Sequence, residues 1–82
     1  MKITDCSERE YKIIGLNIAY YRKLNGLNQM QLAEASGISC THMSNIEAPN
    51  MPTSVSLNTL MDIADALHIP VKELLTFKIH PE

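Results

Sequence analysis

The sequence predicts an all-α fold, a compact bundle of five short helices with a helix-turn-helix at its centre. Apolar residues recur at three- and four-residue spacing along most of the 82 residues. Ser, Asn and Gly stand where helices start and stop. No run of alternating residues is convincing as a core strand. Hydrophobic residues make up 45% of the chain, with one Phe, three Tyr and no Trp, so the core is expected to be aliphatic. The length allows one small domain, able to bury roughly 60% of its unfolded surface.

The first helix is expected from about Glu8 to Leu24. Ser7 and Glu10 have capping-box spacing, and Cys6 with Tyr11 can staple across it. Tyr11, Ile14, Ile18 and Tyr21 fall on one face. Gly15 weakens the helix slightly but admits a close neighbour. Asn25-Gly26 ends it. The second helix covers about Gln29 to Ala35. Asn28 and Gln31 form its capping box, Met30, Leu32 and Ala33 give it apolar surface, and Gly37 is a left-handed stop.

Ser39 then caps a third helix, Cys40 to Glu47, whose Met43 and Ile46 define a buried side. Two short helices across so brief a glycine-containing turn must cross steeply. The segment APNMPTSV opposes helix through its two prolines. Ser56 caps a fourth helix running to about Leu67, with Leu57, Leu60, Ile63, Ala64 and Leu67 on one face, and Val55 can staple against Leu60. Pro70 opens a last short helix carrying Val71, Leu74 and Leu75. Residues 1–7 are read as an extension, 8–76 as the domain and 77–82 as a tail.

Several function classes recede on composition. No apolar run approaches a membrane span, and no signal peptide is visible at the charged start, so a cytoplasmic protein is expected. Cys6 and Cys40 are isolated; a disulfide between them is one reading, and without a secretory signal a reduced state is the expected one. Cys40 and His42 are two apart and do not face each other on a helix, so no metal site is expected. No Gly-rich phosphate loop is present, and no carboxylate, Ser/His or Cys/His grouping calls for an active site. Neither a cofactor nor enzymatic activity is expected.

The stretches IGLNIAYYRKLNGLNQMQLAEASGIS, MSNIE and SLNTLMDIADALHIPVKELL, from Ile14 to Leu75, resemble the Cro/C1-type (XRE-like) helix-turn-helix domain. The resemblance implies a lambda-repressor-like bundle that binds operator DNA as a dimer, with the third helix in the major groove. It implies a pair between Arg22 and Glu47 that sets the angle of that helix; Arg22 facing a phosphate is the other reading. Gln29 matches a glutamine that holds a backbone phosphate or braces a base-reading residue, and otherwise faces solvent. Cys40, Thr41 and Asn45 match base-reading positions, and His42 and Ser44 match variable positions near the DNA. The family often has Gln or Arg at the places of Cys40 and Asn45.

The residue chemistry fits in part. Thr41 offers a hydroxyl to a base or phosphate and a methyl to thymine; Asn45 can bond adenine bidentately. Each can equally be an ordinary exposed helix residue. Cys40 can touch a thymine methyl, sense oxidants, or fill a half-buried place, the last being the plainest reading. His42 can reach a phosphate, aided by protonation.

Charge argues the other way. The seven Lys and Arg are outnumbered by nine Asp and Glu, and none lies between Leu24 and Val71. Cationic side chains normally supply most non-specific DNA affinity. Here Lys23, helped by Lys2, Arg9 or Lys12, must flank the duplex. A weakly binding monomer is therefore expected, with a homodimer through Leu75, Phe77 and Ile79 doubling the contacts, while Leu74 closes the core. A protein-interaction domain on the same scaffold is the alternative.

Overall fold

The computed structural model describes the backbone of residues 3–48 and 53–76, and the side chains of residues 9–48 and 53–76. Four α-helices follow one another: α1 (Ile3–Leu24), α2 (Gln29–Ser36), α3 (Cys40–Glu47) and α4 (Leu57–Ala66). A single 3₁₀ turn, Val71–Glu73, comes last. α2 packs on α3 and α4, α3 also packs on α1, and the 3₁₀ turn packs on α4. The fold is an all-α helical bundle containing a helix-turn-helix.

Local chemistry accounts for the boundaries of the middle helices. The Asn28 side chain accepts from the Gln31 amide at 2.7 Å, and the Gln31 side chain accepts from the Asn28 amide at 2.9 Å. Gly37 ends α2 at φ 77°, and its neighbour's amide, on Ile38, reaches back to the Ala33 carbonyl. Ser39 Oγ accepts from the His42 amide, and Ser56 Oγ from the Thr59 amide, so each serine caps the helix after it. α4 ends as α2 does, with Ile69 N–H donating to the Ala64 carbonyl, but the left-handed position is His68 at φ 60°.

The core is aliphatic. Ile14 and Ile18 from α1 meet Leu32, Ala33, Met43, Ile46, Leu60, Ile63, Ala64, Leu67 and Leu74, all buried. Tyr11, Tyr21 and Val55 pack at its edge. Leu74 is fully buried and closes the bundle, as its spacing suggests.

Four expectations need correcting. α1 begins at Ile3, so Ser7 lies inside the helix and does not cap its start. The expected fifth helix is only a 3₁₀ turn, so four helices, not five, are described. So few residues separate Pro70 from the core plug Leu74 that an α-helical nucleus is not repaid, and i→i+3 bonds serve instead. Leu57, the first residue of α4, does not join the buried face that begins at Leu60 and is exposed. Met30, two positions before the buried Leu32, falls on the opposite side of α2 and is exposed. Pro49, Pro52, Phe77, Ile79 and the Cys6 side chain, with its proposed staple, lie outside the described residues. α3 ends at Glu47, with Ala48 extended.

One buried polar residue was not anticipated. Asn17, on α1, donates through Nδ2 to the carbonyls of Leu74 at 3.1 Å and Thr76 at 2.7 Å. One turn later the Tyr21 hydroxyl donates to Glu73 at 2.9 Å. The Glu73 carboxylate accepts this hydrogen bond and repels a phenolate, and burial adds to the effect, so the Tyr21 pKa is raised above the ordinary tyrosine value. These two side chains bind the end of the described chain to α1.

Candidate nucleic-acid interface

The position of α3 depends on what lies beneath it. Met43 and Ile46 sit in the core, and Glu47, the last residue of α3, is also buried. Its carboxylate accepts from Arg22 Nε at 2.8 Å and Nη2 at 3.0 Å, a bidentate pair joining α3 to the end of α1. A third Arg22 donor, Nη1, holds the Leu27 carbonyl at 2.8 Å. The pair expected between Arg22 and Glu47 is thus formed, and it also fixes the turn leading into α2.

Gln29 joins the same carboxylate. Its Nε2 donates to Glu47 Oε1 at 3.0 Å. Arg22 supplies the compensating charge, so Glu47 is buried without being isolated. The end of α1, the start of α2 and the end of α3 are therefore linked through one side chain. Gly15 allows α1 and α3 to approach closely: a Cβ there would collide with the Ile46 carbonyl oxygen. The close neighbour expected at Gly15 is the backbone of α3.

The other side of α3 faces outward. Cys40, Thr41 and Ser44 are exposed, and His42 and Asn45 are half-buried. Cys40 does not fill a half-buried place, as its plainest reading had it; it is a free, exposed thiol in the first helical turn. Thr41 and Asn45 are four apart and share a face. Lys23 is exposed at the end of α1, beside the Arg22 that holds Glu47. Gln29 is half-buried. The structure thus brings together Arg22, Glu47 and Gln29, and arrays Cys40, Thr41, Ser44 and Asn45 along the outside of α3.

The bond between Gln29 and Glu47 was missed because the residues are eighteen positions apart and neither belongs to a local pattern. The available signal was that the pairing of Arg22 with Glu47 already brought the end of α3 to the end of α1, next to the α2 cap. Among the described residues, no group of three or more His, Cys, Asp and Glu side chains could hold a metal ion. No helix of the described residues is long and apolar enough to cross a membrane.

A capped helix, a left-handed glycine, and a second capped helix with a buried inner side and an exposed outer one define a helix-turn-helix domain. The family profile of the Cro/C1-type HTH DNA-binding domain matches residues 17–79. The chain is 40% identical over 65 residues to the control protein C.SmaI of Serratia marcescens, covering 79% of this chain and 75% of that one. It is 34% identical over 70 residues to the HTH-type transcriptional regulator SinR of Bacillus subtilis, covering 85% of this chain but only 62% of SinR. The crystal structure of the restriction-modification controller protein C.AhdI from Aeromonas hydrophila superposes with a TM-score of 0.72 at 30% identity, covering 78% of this chain and 94% of that one. The protein belongs to the Cro/C1-type (XRE-like) helix-turn-helix family. This is a family of DNA-binding regulators, not of enzymes.

Proposed function

We propose that the protein is a sequence-specific transcription regulator of the cytoplasm that occupies an operator as a homodimer. The observation supporting this reading is the two-sidedness of α3: Met43, Ile46 and Glu47 hold its inner side, and Cys40, Thr41 and Ser44 are exposed on its outer side. A helix held so rigidly can enter a major groove without losing its own packing. Thr41 and Asn45 then meet base edges, Cys40, His42 and Ser44 line the contact, and Lys23 flanks the duplex. Gln29 keeps a second amide N–H beyond the one given to Glu47, suited to a phosphate oxygen at the start of α2. Leu75, Phe77 and Ile79 join the two copies, whose half-sites lie about 34–36 Å apart or at a multiple of that. Similarity to C.SmaI and C.AhdI favours the role of a controller of restriction–modification genes within this class.

The selection of bound duplexes from a random library, at low and stated salt, tests this reading. A palindromic motif is expected, and its enrichment should vanish with Thr41→Ala plus Asn45→Ala. Full enrichment with that double variant would remove those residues from the interface. Because so few cations face the duplex, affinity should fall with salt less steeply than for a lysine-rich reader of similar size. Phe77→Asp should leave a folded monomer in sedimentation.

A second reading is a protein-interaction domain with weak or no DNA binding. It is favoured by the absence of Lys and Arg between Leu24 and Val71. Failure of an intact dimer to enrich any duplex at low salt would select it.

A further inference from the structure

Besides the residues it gives to the core, α1 grips the rest of the chain along two faces. Gly15 and Arg22, two turns apart, meet α3, the first at the Ile46 carbonyl and the second at the Glu47 carboxylate. Asn17 and Tyr21, one turn apart, meet the end of the described chain. One stiff helix therefore carries both the helix offered to DNA and the segment that leads into Phe77 and Ile79.

Asn17 holds more of that segment than closing the core requires. Leu74 is fully buried and plugs the bundle with its own side chain. Asn17 is itself buried, at 1% exposure. Its amide carries two N–H donors, and its nitrogen reaches two carbonyls, that of Leu74 at 3.1 Å and that of Thr76 at 2.7 Å. The shorter bond thus falls beyond the plug, on the residue directly before Phe77. Tyr21 grips the other side of the plug, through Glu73 at 2.9 Å. Within the segment, the Leu75 amide and the Thr76 hydroxyl both donate to the Lys72 carbonyl at 3.0 Å, which ties it to the 3₁₀ turn. A chain held at Glu73, Leu74 and Thr76 is fixed in direction as well as in position.

We propose that Asn17, assisted by Tyr21, is a positioning residue for operator spacing. It sets, in each copy, where the chain departs from α1 toward the residues that join the copies, and so sets the distance between the two α3 helices. In a two-fold dimer the same offset enters from both copies, so a displacement at Thr76 is doubled in the separation of the α3 helices. The half-site spacing of an operator matches that separation. The inference rests on the operator-dimer reading above and adds to it the residue that selects the spacing.

The test uses the full chain and duplexes bearing two inverted copies of the half-site that the wild-type protein selects, separated by spacers of graded length. Wild type should prefer one spacing. Asn17→Ala should keep the half-site sequence but lose about tenfold in preference for that spacing over its neighbours. Its dimer should also dissociate at about tenfold lower concentration of competing Phe77→Asp chain. Tyr21→Phe, the milder truncation, should move both readouts the same way by less, and carries the test if Asn17→Ala fails to fold. Ile63→Val, a core truncation on α4, should lower Tm and leave the spacing profile unchanged. A wild-type spacing profile in folded Asn17→Ala or, failing that, in Tyr21→Phe would overturn the inference and leave the operator reading standing. A dimer that survives Phe77→Asp would overturn it too, because the copies would then join elsewhere. Wild-type protein that selects no palindrome at all would remove the operator reading and this inference together.

Discussion

Arg22 and Tyr21 are neighbours in sequence, yet each anchors a different polar junction on α1. On the Arg22 side, a charged pair and the Gln29 amide hold α3 and the start of α2. On the Tyr21 side, Asn17 and a phenol hold the end of the described chain through donors that carry no charge. The Arg22 junction orients a helix whose other face must stay open to the outside, and a bidentate ion pair supplies that angular definition. For closing the bundle over Leu74 at the Tyr21 junction, hydrogen bonds from Asn17 to backbone carbonyls and from Tyr21 to the Glu73 carboxylate suffice. The charged junction should therefore be the less forgiving of truncation, because removing one partner leaves a charge behind.

The largest loss is expected from Glu47→Ala. With side-chain exposures of 12% for Arg22 and 4% for Glu47, truncation leaves Arg22 without its counter-charge at a cost of about 3 kcal/mol. In a domain of this size that is a fall in Tm of about 15 °C. Glu47→Gln removes the same charge but keeps one carbonyl acceptor and the side-chain volume, and should lose less; equal losses for the two variants would break the contrast. Gly15→Ala comes next, at up to about 3 kcal/mol, because the new methyl meets the Ile46 carbonyl and α1 must move away from α3. It should also weaken operator binding beyond its effect on melting.

On the neutral side, Asn17→Ala strips donors from the Leu74 and Thr76 carbonyls and should cost about 2 kcal/mol in urea melts. A loss as large as that of Glu47→Ala would make the two junctions equivalent. Tyr21→Phe is the mildest of the four, at about 1 kcal/mol. Its sign with pH is defined. The folded-state pKa of Tyr21 is raised, so its contribution is complete below the ordinary tyrosine value of about 10 and is lost as pH climbs through the raised one. The gap in urea stability between wild type and Tyr21→Phe should accordingly hold below about pH 10 and shrink as pH rises beyond it.

The sequence was most legible where structure is local. The capping box of Asn28 and Gln31, the stop at Gly37 and the caps at Ser39 and Ser56 each depend on residues within one turn, and all are formed. The same rule misled at Ser7, where a box-like spacing lies within a helix that runs through it. Arg22 with Glu47 was legible only through family resemblance, since nothing local links residues twenty-five apart. Asn17 went unnoticed because its partners are backbone carbonyls, which carry no side-chain signature. The signal available was a polar residue between Gly15 and Ile18, next to the apolar arc of Ile14 and Ile18. Of the proposed interface, the outward set on α3 was legible from Met43 and Ile46 facing inward. That Glu47 also holds Gln29 emerged only once the helices were placed.

The turn after α4 has a practical consequence. Gly37 and His68 occupy the same left-handed position after their helices, at φ 77° and φ 60°, yet only one is the residue type that adopts it freely. An imidazole-bearing residue held there forgoes stability, on the order of 1 kcal/mol, for no bond that the backbone requires. Asparagine at position 68 would relax the torsion without the extra unfolded-chain entropy of glycine, making His68→Asn a natural first step in hardening this scaffold for engineering.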